Sequence, residues 1–413
     1  MLQSTTSSYY LIFLSEKTQR WMNFILLIFI AGLFFTHLLI QFAATVYFLI
    51  FLMIVINRKS FTFKSIYYLV IAYAISGIVS FLFAGANINK LNTLMPHFFL
   101  LSLITISIWI NRKRDFRLDL WLKVIVILAT INAIAAIIYH YLGKERATGI
   151  FGGYFTLASL MGWSLPLTAG LFFWQKNKFQ WLYVPSMFLQ IMAIWWSFTR
   201  SAMLGVFIGF SCWFAVKFFP IWRMKIKHNN ILYFKWTVLI LLLIVLLLQI
   251  YTSKDPRINP LSRQTIIHEQ NIDLTSGRGG IIEEAYSILK RDWDNQYYLH
   301  YIIGYGLYCR QRLVKSIHSS WESDYLQAFM DQGIIGVMII ILIILIFSRL
   351  IVKGLLHENY LLNGLATSGV VMVIMSFMTL KFTSWHSGSI FLILYAFLDR
   401  ELGYKKVIPL SRC

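Results

Sequence analysis

Residues 331–348 read DQGIIGVMIIILIILIFS, and Asp331 is the one charged residue among them. An α-helix rises about 1.5 Å per residue, so a helix of this stretch approaches the ~30 Å thickness of a bilayer's hydrocarbon core. Inside a bilayer the backbone has no water to bond, and a helix satisfies its polar groups internally. The stretch therefore predicts a membrane-spanning helix.

Similar apolar runs recur along the chain. Of its 413 residues, 58% are hydrophobic and only 13% are charged, whereas a soluble domain carries roughly 25% charged residues. We therefore predict an all-α fold, a polytopic membrane helix bundle of about 12 transmembrane helices. The predicted spans are residues 21–38, 39–56, 65–84, 95–110, 120–142, 154–174, 181–198, 201–218, 236–251, 331–348, 360–380 and 385–399.

The basic residues that give the net charge of +20 are distributed along the chain according to the order of these spans. Many basic residues cluster between alternate spans: Arg58, Lys59, Lys64, Arg112, Lys113, Arg114, Arg117, Lys176, Lys178, Lys217, Arg223, Lys225, Lys227, Lys235, Arg349 and Lys353. The opposite short loops carry few: Lys90, Lys144, Arg146, Arg200 and Lys381. By the positive-inside rule this asymmetry predicts that both termini are cytoplasmic. The charge then reflects topology and contact with anionic lipid, and no nucleic acid is expected.

One long polar stretch interrupts the hydropathy. It divides the chain into residues 1–251 with nine predicted spans, a large loop at 252–330, and residues 331–413 with three spans and a cytoplasmic tail. The loop and its edge hold ten of the seventeen acidic residues, together with Trp293, Trp321 and several tyrosines. A loop of this length in a tight bundle is usually functional or disordered. Its aromatic content favours a folded, partly helical periplasmic loop, of a composition that suits sugar rings.

Two short segments place an arginine next to a predicted helix. Residues 197–202 read SFTRSA, with Arg200 between two spans, and residues 275–280 read TSGRGG, with Arg278 before a predicted helix at 281–290. An arginine between apolar helices is costly unless an anion meets it, and small residues before a helix leave backbone N–H groups that bind anions. Two plainer interpretations stay open: Arg200 snorkels to the interface, and Arg278 is a solvated residue beside an ordinary helix cap.

A third segment offers a general base. Residues 304–306 read GYG, residues 318–327 read HSSWESDYLQ, and residues 333–336 read GIIG. If 318–322 is helical, His318 and Glu322 share one face, and a histidine or carboxylate there could take a proton from a substrate hydroxyl. A surface pair without a catalytic role is the alternative.

Several motifs are absent from the sequence. It contains no GxxxxGK[ST] loop, no HExxH, no paired-cysteine metal site and no GxSxG elbow. ATP hydrolysis and zinc chemistry are therefore not expected, and we predict no metal and no cofactor. The predicted spans hold almost no charge, which disfavours an ion-coupled carrier. Gly205 and Gly209 form a small-xxx-small pair that predicts close helix packing.

Taken together, the segments resemble the O-antigen ligase and O-antigen polymerase superfamily of bacterial envelope enzymes. Residues 146–153, RATGIFGG, resemble the family's RxTGxF outer-loop segment, and residues 199–202, TRSA, its short arginine turn. Residues 276–278, SGR, resemble the start of its large periplasmic loop. Residues 324–327 and 333–336 resemble its loop exit, HNxYLQ…GxxG. The likeness runs from about Arg146 to the eleventh span.

The resemblance implies a membrane glycosyltransferase of the GT-C type, inverting and metal-independent, acting at the periplasmic face. The donor would be a glycan linked to undecaprenyl diphosphate. Arg200 and Arg278 match the family's diphosphate-binding arginines, and Arg146 is assigned with them. A bidentate guanidinium stabilises the charge that grows on a departing diphosphate. In the family a loop histidine activates the acceptor hydroxyl.

The chain departs from the family pattern in two places. The loop-exit histidine should fall eleven residues before Gly333, where this sequence has Glu322, and His318 lies one helical turn earlier. Either Glu322 is the base or His318 reaches the same point. The second departure is Gly153-Tyr154, where family members often carry Asn-Pro, and it concerns local loop shape.

We therefore predict an O-antigen ligase-like glycosyltransferase of the bacterial inner (plasma) membrane, with lipid A core as the acceptor. A polymerase that uses a lipid-linked repeat as acceptor is the alternative within the family. A transporter or flippase of lipid-linked sugars is the alternative of another class. A single large loop late in the chain and the lack of a two-half repeat fit a transporter poorly.

Overall fold

The computed structural model describes residues 16–56, 64–84, 94–113, 115–223, 235, 237–240, 244, 278–314, 320–377, 379 and 385–403. Within these ranges every regular element is a helix, which confirms the all-α prediction for the described part of the chain. The helices are α1 (Glu16–Phe35), α2 (His37–Ile56), α3 (Ser65–Phe83), α4 (Met95–Arg112), α5 (Leu118–Tyr141), α6 (Tyr154–Trp174), a 3-10 helix (Lys178–Leu182), α7 (Tyr183–Trp196), α8 (Arg200–Arg223), α9 (Arg278–Asp294), α10 (Leu299–Ile303), α11 (Arg310–Val314), α12 (Asp324–Leu356), α13 (Tyr360–Ser376) and α14 (Trp385–Gly403).

Five of the described helices are long and apolar enough to cross a membrane, which indicates a membrane-embedded protein. The five segments are Thr18–Phe35, Ser65–Phe83, Leu118–Tyr141, Tyr154–Trp174 and Asp324–Leu356. Described helices overlap eleven of the twelve predicted spans. The predicted ninth span, 236–251, lies mostly outside the described residues.

One end of the bundle is held by basic and amide side chains. Lys64, before α3, forms an ion pair with Asp399 near the end of α14. The amide nitrogen of Asn111, at the end of α4, donates to the same carboxylate at 2.8 Å. The end of α12 lies here too, because a Cβ on Gly354 would be 3.2 Å from a methyl group of Leu398. We call this the basic end.

The opposite end of the bundle follows from the direction of two helices. Lys217, near the end of α8, donates to the carbonyl of His357 directly after α12, at 2.8 Å. These two helices therefore finish together at the basic end. Arg200, which begins α8, and Asp324, which begins α12, lie at the other end. We call it the cap end.

Helix α6 is the most enclosed of the candidate spans, with almost every residue buried among its neighbours. Small residues allow the close packing: a Cβ on Gly170 would be 3.1 Å from the Cα of Gly364 in α13. Gly205 and Gly209 of α8 approach Val371 of α13 in the same way. The close packing predicted for that glycine pair is therefore confirmed.

Residues 278–314 form a small helical cap with its own apolar core, as the prediction of a partly helical loop requires. Helices α9, α10 and α11 make up the cap, and the loop exit before α12 completes its core. The core side chains are Ile281, Ala285, Ile288, Tyr305, Cys309, Trp321 and Met330. The described part of the loop is thus a folded unit.

Two glycines bring the cap into backbone contact with α12. Gly304 (φ 80°, ψ −176°) lies against the backbone of Asp331, and Gly333 (φ 68°, ψ −162°) lies against the backbone of Ile302. A Cβ at either glycine would fall far inside van der Waals contact. Both conformations also belong to a region that is essentially restricted to glycine. We call residues 302–306 against 330–333 the glycine junction.

Backbone hydrogen bonds fix the register of the junction. The N–H of Tyr305 donates to the carbonyl of Met330 at 2.8 Å, and the N–H of Gly306 donates to the carbonyl of Asp331 at 3.2 Å. The hydroxyl of Ser80, in α3, donates to the same Asp331 carbonyl. The junction therefore joins the cap to both α3 and α12.

The junction also explains where α12 begins. The helix starts at Asp324, seven residues before the predicted span at 331–348, and non-helical backbone at Gly333 interrupts it. Hydropathy detects only the apolar part after the interruption. The preceding turns carry polar side chains that pack beneath the cap.

Gly304→Ala should detach the cap from the bundle. The conformation alone costs a residue with a Cβ about 1–3 kcal/mol, and the clash with Asp331 adds to that. We expect a lower midpoint of thermal unfolding in detergent and faster protease cleavage within residues 278–314. Gly280→Ala, on α9 where a Cβ meets open space, is the matched control. Equal stability of the two variants would contradict the account of the junction.

Candidate functional site

Arg200 lies where its segment predicts, in the turn between two helices. It is the first residue of α8, and its side chain is largely exposed at the cap end. Phe198 in the preceding turn has left-handed backbone, with φ 53°. The carbonyl of Thr199 accepts from the N–H of Ala202 at 3.1 Å and so starts the helix.

Arg146 clamps that turn from the neighbouring loop. Its Nε donates to the carbonyl of Ser197 and its Nη2 to the carbonyl of Phe198, both at 3.0 Å. The N–H of Ala147 donates to the carbonyl of Trp196 at 2.8 Å. The segment 146–153 therefore contacts residues 196–198, which lie directly before residues 199–202.

The guanidinium of Arg146 also lies 3.4 Å from the centroid of the Tyr154 ring, a favourable cation–π arrangement. Two of its five N–H donors go to backbone carbonyls. The structure thus gives Arg146 a positioning role toward the turn that carries Arg200. Its predicted contact with a diphosphate stays a prediction.

A buried asparagine anchors the rest of the Arg146 segment. The side-chain oxygen of Asn132, in α5, accepts from the N–H of Ile150 at 2.8 Å. Gly149 packs directly on this side chain, because a Cβ there would be 2.6 Å from the Asn132 oxygen. The segment 146–150 is therefore held by α5 on one side and by the arginine turn on the other.

Arg278 is the first residue of α9, which confirms the predicted helix at 281–290 and extends it to Asp294. Residues 275–277 and the side chain of Arg278 lie outside what the structure describes. The predicted proximity of the Arg200 and Arg278 guanidinium groups is therefore untested.

The structure describes one of the two candidate bases, Glu322. His318 lies outside the described residues. Glu322 lies in a non-helical turn with φ 60°, two residues before α12 begins, and its side chain is half-buried. The described residues 320–322 are not helical, so helical spacing does not relate Glu322 to His318, and the pairing of the two side chains stays a prediction. Glu322 stays a candidate base by its position at the loop exit.

The start of α12 and the first turns of α8 both pack on the end of α13. The hydroxyl of Tyr325 lies 3.5 Å from that of Ser376, and the Tyr325 ring stacks on Phe377 with centroids 4.9 Å apart. Directly before Ser376 in α13, Met375 packs on α8, where a Cβ on Gly205 would be 3.2 Å from its Cγ. The start of α8 and the start of α12 thus flank the same helix end.

A buried polar network ties the loop exit to the cap. The amide of Gln327 donates to the carboxylate of Asp331 at 2.6 Å and accepts from the N–H of Trp321 at 2.8 Å. The N–H of Cys309 donates to the other oxygen of Asp331 at 3.4 Å. Buried polar groups are stable when they are bonded in this way. These bonds explain why the exit segment carries a glutamine and an aspartate ahead of its apolar run.

Like Arg146, Arg310 in the cap donates hydrogen bonds to neighbouring segments. Arg310 is buried, and its Nε and Nη2 donate to one oxygen of Glu284 at 3.1 and 3.0 Å. Its Nη1 donates to the carbonyl of Ser320 at 3.0 Å. Arg310 thus links α9, α11 and the loop exit.

Sequence reasoning missed an aspartate–histidine pair on the cap. Asp292 ends up only 3% exposed, and its carboxylate bonds to Nδ1 of His300 at 2.6 Å and to Nη2 of Arg291 at 3.2 Å. Burial alone would raise the pKa of Asp292, but the hydrogen bonds from His300 and Arg291, together with the nearby Tyr305 hydroxyl, outweigh it and hold the pKa below its usual value. Because the pair is formed across a turn, its spacing of eight residues matches no motif.

The pair lines an open cleft of about 490 Å³ between the cap and the end of α3. The lining residues are Phe83, Ala84, Arg291, Asp292, Tyr297, Leu299, His300, Ile303, Gly304, Tyr305, Arg312 and Leu313. Arg312 bridges the two walls, since it donates to the carbonyl of Ala84 at 2.8 Å and to the carbonyl of Tyr305. The cleft is thus part of the cap end.

No family model matches the chain, and no curated protein sequence matches it significantly. Function is therefore inferred from the structure of the cap end and from the short segments that resemble family motifs.

Arg146→Ala should loosen the arginine turn. Hydrogen bonds to a charged group contribute about 1.5–3 kcal/mol each, and this side chain makes two to the turn. Arg146→Lys should restore little of the lost stability, because an ammonium cannot span both carbonyls and stack on Tyr154. The check is the thermal unfolding midpoint in detergent, with the exposed Lys144→Ala as control. A lysine variant as stable as the wild type would contradict the clamp.

Proposed function

We propose that the chain is a bacterial inner-membrane glycosyltransferase that moves a glycan from undecaprenyl diphosphate to a sugar hydroxyl on the outer face. One observation carries the proposal. Three segments that resemble motifs of lipid-linked glycan transferases converge at the cap end, although up to 190 residues separate them in sequence. These are residues 146–153, residues 199–202 at the start of α8, and residues 324–336 in the first turns of α12.

In this proposal the chain spans the membrane twelve times, with the basic end in the cytoplasm and the cap in the periplasm. The described helices overlap eleven of the twelve spans. Lys64 and Lys217 lie at the basic end, as the positive-inside rule expects of a cytoplasmic side.

The donor's diphosphate would meet Arg200 and Arg278. Each is the first residue of a helix, α8 and α9, where backbone N–H groups and the helix dipole favour an anion. As the bond between the anomeric carbon and the diphosphate oxygen breaks, its electron pair leaves with undecaprenyl diphosphate. Guanidinium groups stabilise that growing charge.

The acceptor hydroxyl supplies the oxygen of the new bond, and a base takes its proton. Glu322 and His318 are the candidates, and Glu322 lies at the loop exit beside the start of α12. Inversion follows if the hydroxyl attacks from the face opposite the diphosphate. The energy comes from the lipid-linked bond, so no nucleotide is needed.

Two acceptors fit this chemistry. Lipid A core would make the chain a ligase, and a second lipid-linked repeat would make it a polymerase. A transporter of lipid-linked sugars remains the alternative of another class. It would leave the bond between glycan and diphosphate intact.

Arg200→Ala should abolish the reaction while insertion and folding stay normal, because the side chain is largely exposed. Loss of one group that stabilises transition-state charge costs about 10²–10³ in kcat. The measurement is the surface polysaccharide profile of a deletion strain that receives wild type, Arg200→Ala, Arg278→Ala or, as control, Arg117→Ala. Arg117 is exposed beside Asp119 in the loop between α4 and α5.

The profile separates the alternatives. Loss of all long chains, with polymer accumulating on the carrier lipid, indicates a ligase, whereas cores that carry a single repeat indicate a polymerase. Full rescue by Arg200→Ala and Arg278→Ala would contradict the proposed chemistry and favour transport.

A further inference from the structure

The cleft on the cap lies away from the proposed reaction centre. Asp292 follows Arg278 by fourteen residues on the same helix, α9. At about 1.5 Å per residue, the two positions are roughly 20 Å apart along the helix axis. A group bound beside Asp292 is therefore too far from Arg278 to share the reacting bond.

The walls of the cleft combine aromatic rings with hydrogen-bonding groups. The rings of His300 and Tyr305 lie with centroids 4.5 Å apart, and Tyr297 beside them is 61% exposed. Aromatic faces pack on the C–H faces of sugar rings, while carboxylate and guanidinium groups pair with hydroxyls in fixed directions. Arg291, whose side chain is 60% exposed, supplies a guanidinium here, and the buried Asp292 behind it holds it in place.

The polar side of the cleft is built in advance. The Asp292 carboxylate is buried and held by His300 and Arg291. Bonds of this kind fix the side chains before a ligand arrives and so reduce the entropy lost on binding. Such pre-organised polar groups beside an apolar wall, here Leu299 and Phe83, are typical of small-molecule sites.

We propose that this cleft binds saccharide units of the glycan on which the protein acts, at a distance from the bond that reacts. The identity of the glycan rests on the proposed function. A long chain held there keeps its reacting end near the arginine turn, and remote binding energy contributes to positioning at the reaction centre. The cleft thus selects for chain and sugar type.

A lipid headgroup is the competing occupant, since the cleft adjoins the end of α3. The lining carries one carboxylate, that of Asp292, and two guanidinium groups, those of Arg291 and Arg312. Two donors of Arg312 already go to the carbonyls of Ala84 and Tyr305. The aromatic rings distinguish the occupants, because a sugar ring packs on an aromatic face and a phosphate does not.

The test measures binding without reaction. The probe is the water-soluble glycan that mild acid releases from the carrier lipid of the source bacterium, which carries no diphosphate. Titration calorimetry with the purified full-length protein in detergent should show that Tyr297→Ala weakens binding about tenfold, as loss of an aromatic contact does. Tyr286→Ala, an exposed tyrosine on α9 outside the cleft, should bind as the wild type does.

The outcomes separate this proposal from the proposed function. Arg200→Ala should lose glycan transfer and still bind the probe as tightly as the wild type. Equal binding by Tyr297→Ala and the wild type would overturn the saccharide site, even if transfer is observed. Displacement of the probe by glycerol phosphate, or binding of glycerol phosphate alone, would assign the cleft to a lipid headgroup. Tyr297-dependent binding in a protein that never cleaves the donor would overturn the transferase and leave the site.

Discussion

The cap can dock on the bundle only because Gly304 and Gly333 let two backbones touch. Both glycines have φ values that other residues rarely adopt, and each meets the main chain of the opposite segment. The junction fixes the carbonyl of Asp331 against Ser80 of α3. With that point fixed, the cleft lies on the α3 side of the cap, and the loop exit faces α13. The position of the cleft and the position of the loop exit are therefore both set by this one contact.

The arginines of the cap end fall into two groups by their proposed roles. Arg146, Arg310 and Arg312 donate to backbone carbonyls, and such bonds hold loops that have no regular structure of their own. Arg200 and Arg278 begin the long helices α8 and α9, where an anion is favoured. The first group shapes the outer surface, and the second is the one that our account assigns to the diphosphate. Arg146 also acts on the second group, because it positions the turn that carries Arg200.

Hydropathy predicted the helices well, since a span must be apolar and must satisfy its own backbone bonds. It placed the start of α12 at residue 331 and missed the polar turns from Asp324, which are buried by the cap rather than by lipid. A shared helical face for His318 and Glu322 depended on a helix at 318–322, and the described residues 320–322 are not helical. No sequence pattern predicted the pair of Asp292 and His300, because a turn brings the two residues together. Contacts of this kind produce no periodic pattern in a sequence.

Cleavage of the lipid-linked donor is the measurement that tests the account most directly. Purified protein would be reconstituted in liposomes with lipid-linked glycan extracted from the deletion strain, in EDTA and without nucleotide. The account predicts that undecaprenyl diphosphate appears in a one-to-one ratio with glycan transferred to its acceptor. Donor that crosses the bilayer with its glycan still attached, and no release of undecaprenyl diphosphate, would contradict it.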